Sequence, residues 1–190
     1  MKRTAKTLLL ILVALPLAVL QAAAQNTPAP QSDPWKPLAF LQGTWEARTG
    51  EARTGEGKTS KAVTATGSYT FRSELRDHIL ARHSTSDSGC KAPTDFDCEH
   101  GDLLYIYQDT PGQPLKAIYF DNEGHVIHYR VSTPDATTAI FLSDATLPGP
   151  QFRLMYELKS GVMSGKFQMR MPGQSDWNSY LEWSGVKRTQ

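Results

Sequence analysis

The chain has 190 residues, with 20 Lys or Arg and 19 Asp or Glu, so its formal net charge at pH 7 is +1. This balance, without an excess of positive charge, argues against a nucleic-acid-binding protein. The length suits one domain with a sizeable core.

Residues 1–24 have the three-part layout of a secretory signal peptide: basic residues, an apolar stretch, then small residues ending at Ala24. The apolar stretch from Leu8 to Leu20 covers 13 residues, whereas a membrane-spanning helix needs about 20. Cleavage after Ala24 leaves 166 residues with a formal charge of 17 − 19 = −2. We therefore expect an exported protein, periplasmic or secreted, with no membrane span after cleavage.

Residues 25–34 contain three prolines among small polar residues, a composition that predicts a flexible leader. The domain is expected over residues 35–190. It opens on a helical or 3₁₀ turn from Trp35 to Leu41, started by Asp33 and Pro34 and stopped by Gly43.

Beyond Thr44, apolar and polar residues alternate in short segments that are separated by turns containing Gly or Pro. The segments predicted to face one side contain Tyr69, Phe71, Ser73 and Leu75; Leu104 and Ile106; Ile127, Tyr129 and Val131; Ile140 and Leu142; Phe152, Leu154, Tyr156 and Leu158; Phe167, Met169 and Met171; and Trp177, Leu181 and Trp183. Short turns make neighbouring strands antiparallel. The sequence predicts an all-β, antiparallel up-and-down β-barrel of about eight to ten strands, with a two-sheet sandwich as the competing architecture.

The two cysteines, Cys90 and Cys98, are separated by seven residues. In an oxidising compartment an even number of cysteines predicts a disulfide. The spacing lacks the Cys-x-x-Cys pattern of a redox-active pair, which favours a structural bridge.

The phrase Leu-Ala-Phe-Leu-Gln-Gly-Thr-Trp at residues 38–45 resembles the opening of the calycin superfamily, which includes lipocalins and fatty-acid-binding proteins. It is especially similar to nitrobindin-like bacterial barrels, among them domain of unknown function 1579, as are residues 117–129, 152–156 and 180–183. The resemblance implies a barrel that binds a small molecule. It also implies that Gly43 and Trp45 form a structural signature in which the indole packs against Arg188 or Lys187.

The same resemblance raises the question of haem, because haem-binding nitrobindins present a His from a late strand. The last His here is His128, followed by 62 residues without one. Haem is therefore disfavoured, and no cofactor is expected.

Metal and catalytic motifs are weak. Same-face partners on one strand need an even spacing, but His125 and His128 differ by three positions and His78 and His83 by five. The acidic residues at positions 95–102 do not follow the EF-hand pattern. We predict no metal site and assign no catalytic residue.

Charged residues recur at period two on the late strands. They include His128, Arg130, Arg153, Glu157 and Arg170. These side chains either face solvent, as charged residues do by default, or line a polar lumen. If they face inward, their arginines suit an anionic or carboxylate-bearing ligand.

The leading interpretation is a non-enzymatic barrel that binds a small apolar or amphipathic molecule. One alternative is a small-molecule hydrolase or isomerase with His128 as acid or base beside Arg130. The other is a solidly packed envelope protein that binds partners through the loop around Cys90 and Cys98.

Overall fold

The protein is described by a computed structural model that covers residues 33–49, 66–86, 100–146 and 148–189. The predicted signal peptide, most of the predicted leader, and Cys90 with Cys98 lie outside these residues and stay predictions. The described elements are the 3₁₀ helix η1 (Lys36–Leu41) and the strands β1 (Gly43–Thr49), β2 (Thr66–Glu74), β3 (Ile79–Ser86), β4 (Gly101–Tyr107), β5 (Lys116–Asp121), β6 (Val126–Asp135), β7 (Thr138–Ser143), β8 (Gln151–Lys159), β9 (Val162–Arg170) and β10 (Asn178–Lys187). No helix in this part of the chain has both the length and the apolar character that crossing a membrane requires.

The ten strands form one closed barrel in which every neighbouring pair is antiparallel. Each strand pairs with the next one in the chain, and β1 pairs with β10 to complete the ring. Closure leaves no unpaired edge strand. The predicted up-and-down barrel is thus confirmed, and the sandwich alternative is excluded.

The helix η1 and the start of β1 lie at one end of the barrel, which we call the closed end. Leu38 and Leu41 of η1 are fully buried, and the indole Nε1 of Trp45 donates a hydrogen bond to the Leu41 carbonyl oxygen at 2.8 Å. Gly43 has φ +116°, and a Cβ built there would lie 2.4 Å from Cε of Lys187. Glycine is therefore required at this junction for its backbone conformation, whereas the flexible end of Lys187 can move away from an added side chain.

The opposite end, which we call the rim, carries the connections β5–β6, β7–β8 and β9–β10 at residues 122–125, 144–150 and 171–177. The strand ends Thr49, Thr66, Ser86 and Gly101 also lie there, because the antiparallel ladder alternates strand direction around the ring. The functional site described below lies between the middle of the barrel and this rim.

The interior between the two ends is packed with large apolar side chains. Most predicted inward positions are confirmed: Leu104, Ile106, Leu154 and Tyr156 are at most 3% exposed. The buried core consists of Leu38, Leu41, Trp45, Tyr69, Phe71, Leu80, Leu104, Ile106, Ala117, Tyr129, Ala139, Phe141, Leu154, Tyr156 and Met163.

The predicted facing of β7 is wrong. Ala139 and Phe141 are fully buried, whereas Ile140 is only partly buried. The run Ala-Ile-Phe-Leu is apolar on both faces, so alternation cannot fix its facing. Pairing with Tyr156 and Leu154 of β8 decides it, since directly opposed residues share a face.

Three other residues assigned to the inward face lie elsewhere. Leu75 follows β2 in a turn with φ +51° and is 68% exposed. Met171 follows the end of β9 and is exposed. Trp177 precedes β10 and packs against Arg153 and Arg170, which lie on the outer wall.

Candidate functional site: a polar cluster inside the barrel

The register places the five charged residues predicted as ligand contacts on the outer face. His128 and Arg130 flank the buried Tyr129 and are themselves exposed. Arg153, Glu157 and Arg170 of β8 and β9 are partly exposed. Each occupies the alternate position to an inward-facing residue of its strand.

These five residues form separate groups. Arg153 and Arg170 both lie against the indole of Trp177. Glu157 forms an ion pair with Lys159 at 2.7 Å. His128 and Arg130 lie on a different part of the wall, on β6.

The basic residue over Trp45 is Lys187, one of the two that the resemblance implied. Its Nζ lies 5.6 Å from the centre of the indole, a distance at which a cation is attracted to the ring face. Arg188 instead forms an exposed ion pair with Glu46, 2.9 Å between Nε and Oε1. Its backbone N–H also donates to the Thr44 carbonyl oxygen at 2.8 Å.

A different set of polar residues faces inward, and we call it the Arg82 cluster. Its members are Arg82, Asp102, Tyr69, Tyr119, Tyr129, Tyr156 and Trp183. At its centre, Nη2 of Arg82 lies 3.1 Å from Oδ2 of Asp102, and both residues are more than 90% buried. The sequence reasoning missed this set.

The ladder explains why these polar residues meet inside the barrel. Arg82 of β3 lies directly opposite Phe71 of β2 and Leu104 of β4, both of which are core residues. Asp102 is two positions before Leu104, so it faces the same side. Arginine and aspartate therefore approach each other diagonally across the β3–β4 pair.

The electrostatics of the ion pair favour its charged form. Burial alone opposes the charge on Arg82, but Asp102 and the surrounding tyrosines outweigh it, so the pKa of Arg82 is raised. Burial also opposes ionisation of Asp102, yet the nearby guanidinium outweighs burial and holds the pKa of this carboxyl below its usual range. Both groups are thus charged in an apolar surrounding, an arrangement in which removing one partner leaves a costly unpaired charge.

Four tyrosines surround this pair. Cζ of Arg82 lies 5.4 Å from the ring centre of Tyr69 and 5.9 Å from that of Tyr156. Burial raises the pKa of Tyr69 to about 12, and burial likewise raises the pKa values of Tyr119, Tyr129 and Tyr156. All four hydroxyls are neutral at physiological pH and can donate a hydrogen bond.

Within the described part of the chain, several buried polar atoms of the cluster have no hydrogen-bond partner. They are the hydroxyls of Tyr69, Tyr129 and Tyr156 and Nε of Arg82. The indole N–H of Trp183 lies within hydrogen-bonding reach of the Tyr69 oxygen, and Ser84 hydrogen-bonds to the Asp102 carboxylate. Each of the four unpaired groups keeps a hydrogen to donate. Because a buried unpaired polar group costs about 1–3 kcal/mol, this set lowers stability, and packing alone gives no reason for it.

Trp183 reaches the cluster through a close contact with a glycine. Gly165 of β9 lies opposite Trp183 of β10, and a Cβ at Gly165 would lie 2.0 Å from Cε2 of the indole. The missing side chain lets the indole lie flat against the backbone. The ring then contacts Tyr156 edge-on at 5.7 Å between ring centres.

His100 connects the cluster to the rim. Its Nε2 lies 3.5 Å from both Oδ2 of Asp102 and the Tyr119 hydroxyl, and its Nδ1 lies 3.1 Å from Oε1 of Glu123. Hydrogen bonding to Asp102, followed by that to Glu123, outweighs partial burial and raises the pKa of His100 to about 8. At neutral pH, Arg82 and His100 are therefore both positively charged, and each is paired with a carboxylate, Asp102 and Glu123 respectively.

Asp121, Glu123 and His125 in the β5–β6 turn bring potential metal-ligand atoms within 4.8 Å of one another. Oδ1 of Asp121 accepts hydrogen bonds from the backbone N–H groups of Glu123 and His125 at 3.1 and 2.8 Å. This arrangement is an Asx-type turn, which stabilises the connection on its own. The turn geometry thus accounts for the grouping.

Two open depressions lie on the barrel surface. One, of about 540 Å³, includes Glu46, Arg48 and Arg188 among its lining residues. The other, of about 300 Å³, lies near the rim between the β7–β8 and β9–β10 connections and includes Gln151 and Arg170. The inward-facing residues nearest the rim, including Tyr119, Ile127, Phe152 and Phe167, are only partly buried. They form an apolar layer between the Arg82 cluster and the rim.

Comparison with known protein families and with curated proteins finds no match for this chain. The class of protein is therefore defined by its fold and site: a closed, antiparallel ten-stranded barrel, compatible with a calycin-like fold, with a charged and tyrosine-rich cluster inside. The finer resemblance to nitrobindin-like barrels gains no support from these comparisons.

Proposed function

We propose that the protein is a small-molecule carrier or sensor barrel whose ligand is an amphipathic molecule with an anionic, carboxylate-like head group. The head group lies at the Arg82 cluster, and the apolar body extends toward the rim. The observation that carries this proposal is the convergence of four unpaired buried hydrogen-bond donors inside the barrel, the hydroxyls of Tyr69, Tyr129 and Tyr156 and Nε of Arg82. A carboxylate offers about four acceptor positions, which complements such a set of donors.

The charged side chains of the site are paired with one another. Asp102 pairs with Arg82, and Glu123 pairs with His100, which is protonated below pH of about 8. The hydrogen-bond donors of the cluster, rather than a net positive charge, therefore support a ligand rich in acceptor atoms.

The apolar part of the ligand is inferred from the residues between the cluster and the rim. Phe152 and Phe167 stack with ring centres 5.6 Å apart, and Ile127 lies opposite Tyr119. These side chains pack against the core while staying partly exposed. An alkyl chain or aromatic ring would bury the remaining apolar surface, worth about 25 cal/mol per Å².

The proposal is tested by comparing cis-parinaric acid with its methyl ester, using the fluorescence of the polyene. We expect saturable binding of the acid and at least roughly fivefold weaker binding of the ester, which corresponds to about 1 kcal/mol for a weakened charge-assisted contact. Tyr156→Phe and Tyr129→Phe each remove one donor and should weaken binding of the acid. The matched control is Tyr180→Phe, because Tyr180 is 50% exposed.

Equal affinity for acid and ester would refute the anionic head group. Equal losses in Tyr156→Phe and Tyr180→Phe would refute the location. If neither compound binds and a high-resolution crystal structure shows water alone on the cluster atoms, the cluster is a hydrated interior and the ligand proposal fails. Export and the disulfide remain part of this proposal, and intact-mass measurement of the mature protein tests both.

A further inference from the structure

A second, independent feature lies on the outer wall near the rim. Two arginines, Arg153 of β8 and Arg170 of β9, lie against the same indole: their Cζ atoms are 4.3 and 4.7 Å from the ring centre of Trp177. Trp177 belongs to the β9–β10 connection, which returns across the outside of the barrel. We call these three residues the Trp177 cluster.

Two glutamines of the wall hold the arginines in place. Oε1 of Gln168 accepts hydrogen bonds from Nε and Nη2 of Arg153 at 2.9 and 2.7 Å. Oε1 of Gln151 accepts one from Nη2 of Arg170 at 2.5 Å. Both glutamines are buried, and Gln151 is itself fixed by a hydrogen bond to the Ser143 carbonyl oxygen. The guanidinium groups are therefore positioned in advance of any ligand.

The two positive charges of the Trp177 cluster are not balanced. Among the residues that the structure describes, no carboxylate forms an ion pair with either guanidinium; the ion pairs of nearby Glu157 and Glu182 are with Lys159 and Lys166. Burial, together with the charge of Arg170, lowers the pKa of Arg153. Two like charges held close together by neutral amides raise the affinity for an anion.

The depression of about 300 Å³ near the rim is lined by one arginine of this pair, Arg170. Arg170 and Gln151 line it, together with Gly149, Gly173 and Gln174. The hydrogen bond to Gln151 uses Nη2, and other N–H groups of Arg170 have no partner within the described residues. A small ligand in the depression can thus accept hydrogen bonds from Arg170, while Arg153, on the same indole, adds a second positive charge nearby.

We propose that the Trp177 cluster binds a small phosphate-like oxyanion in this depression. The planar guanidinium matches the spacing of phosphate oxygens, which permits two parallel hydrogen bonds. Packing against tryptophan is enough to explain why one arginine lies on the indole. It does not explain why two arginines lie on the same indole without a carboxylate that balances their charges. This site lies on the outer face, so it is separate from the proposed interior ligand site.

The test is a phosphate titration of the full-length protein followed by ¹H–¹⁵N NMR of the tryptophan indole N–H signals. Trp177→Phe identifies the Trp177 signal by its loss. Sodium chloride at matched ionic strength is the reference for non-specific screening. Glycerol phosphate and succinate in place of inorganic phosphate show whether the ligand is a free phosphate, a phosphate ester or a dicarboxylate.

We expect saturable movement of the Trp177 signal with phosphate and not with chloride. Arg170→Gln should weaken phosphate binding at least roughly tenfold, as expected for loss of charge-assisted hydrogen bonds. Arg170→Lys should weaken phosphate binding less than Arg170→Gln does, because lysine keeps the positive charge and lacks only the planar pair of N–H donors of the guanidinium. Arg153→Gln should weaken binding less than Arg170→Gln does. The matched control is Arg72→Gln on the exposed face of β2, where Arg72 pairs with Glu74, and it should change the affinity less than twofold.

Three results would overturn the proposal. One is a Trp177 signal that moves equally with chloride and phosphate, which would indicate general screening. Another is an equal loss of affinity in Arg72→Gln and Arg170→Gln, which would indicate a diffuse charge effect. The third is tighter binding of succinate than of either phosphate, which would identify a carboxylate site instead.

Discussion

Replacing Tyr156 with phenylalanine separates the stability of the barrel from its proposed function. Tyr156 is fully buried, and its ring packs edge-on against Phe71 and Phe141, with ring centres 5.4 and 6.1 Å apart. The substitution keeps these contacts and removes only the hydroxyl. Because that hydroxyl has no partner among the described residues, its loss removes a desolvation cost and breaks no protein hydrogen bond.

We expect Tyr156→Phe to raise the free energy of unfolding by about 1 kcal/mol, the lower end of the cost of an unpaired buried polar group. In a domain of this size, 1 kcal/mol corresponds to roughly 2–4 °C in Tm. The same substitution should weaken binding of the carboxylate probe. Higher stability together with weaker binding in the variant is expected when the original residue is retained for ligand contact at the expense of stability.

The measurement is urea unfolding followed by circular dichroism, with Tyr180→Phe as the reference for an exposed hydroxyl. Tyr180→Phe should change the free energy of unfolding by less than about 0.5 kcal/mol, as is usual for surface substitutions. A loss of 1 kcal/mol or more in Tyr156→Phe would refute the reasoning, since it would mean that the hydroxyl is paired in the folded protein.

Three further outcomes follow from the described contacts. Gly165→Ala should lower the free energy of unfolding by about 1–3 kcal/mol, because its Cβ would lie 2.0 Å from Trp183. Urea unfolding measures the loss, with Gly101→Ala as the control, because a Cβ at Gly101 would meet its nearest atom only at 3.8 Å. Equal losses in the two variants would contradict the packing. Leu38→Ala should cost about 2–5 kcal/mol at the closed end, seen as a lower Tm, and a neutral effect would mean that η1 does not seal the barrel. The pKa of His100 is raised from 6.5 to about 8 on folding, so its stabilising contribution is complete below pH of about 6.5 and is lost as pH rises through about 8. Unfolding free energies measured from pH 6 to 9 should therefore fall, and His100→Gln should flatten this profile; an unchanged slope in the variant would contradict the assignment.

The regular alternation of the strands made the barrel predictable from sequence. In β8, apolar and mostly polar residues alternate regularly enough for Leu154 and Tyr156 to be assigned inward correctly. In β7 the continuous apolar run does not indicate which residues face inward, and pairing with β8 determines it. The position of Trp177 depends on how the β9–β10 connection crosses the wall, which no local pattern encodes.

The Arg82 cluster was missed although the sequence carried a signal for it. Asp102 stands two positions before Leu104, so the predicted facing of β4 already directed this carboxylate inward. Arg82 stands two positions after Leu80 on β3. Charged residues are assigned to the surface by default. This rule led to Arg82 and Asp102 being overlooked as interior residues. What the sequence could not supply is the diagonal approach of the two strands, which depends on the ladder register.

The pairing of the first strand with the last has a consequence for biosynthesis. Glu46 and Arg188, which meet across this seam, are 142 residues apart in the chain, so closing the ring costs about 4 kcal/mol of chain entropy. Because β10 follows the other nine described strands in the chain, both edges that it covers stay open until it has been synthesised, and each can pair with another nascent chain. Completion of the ring after synthesis is thus the step at which aggregation competes with folding.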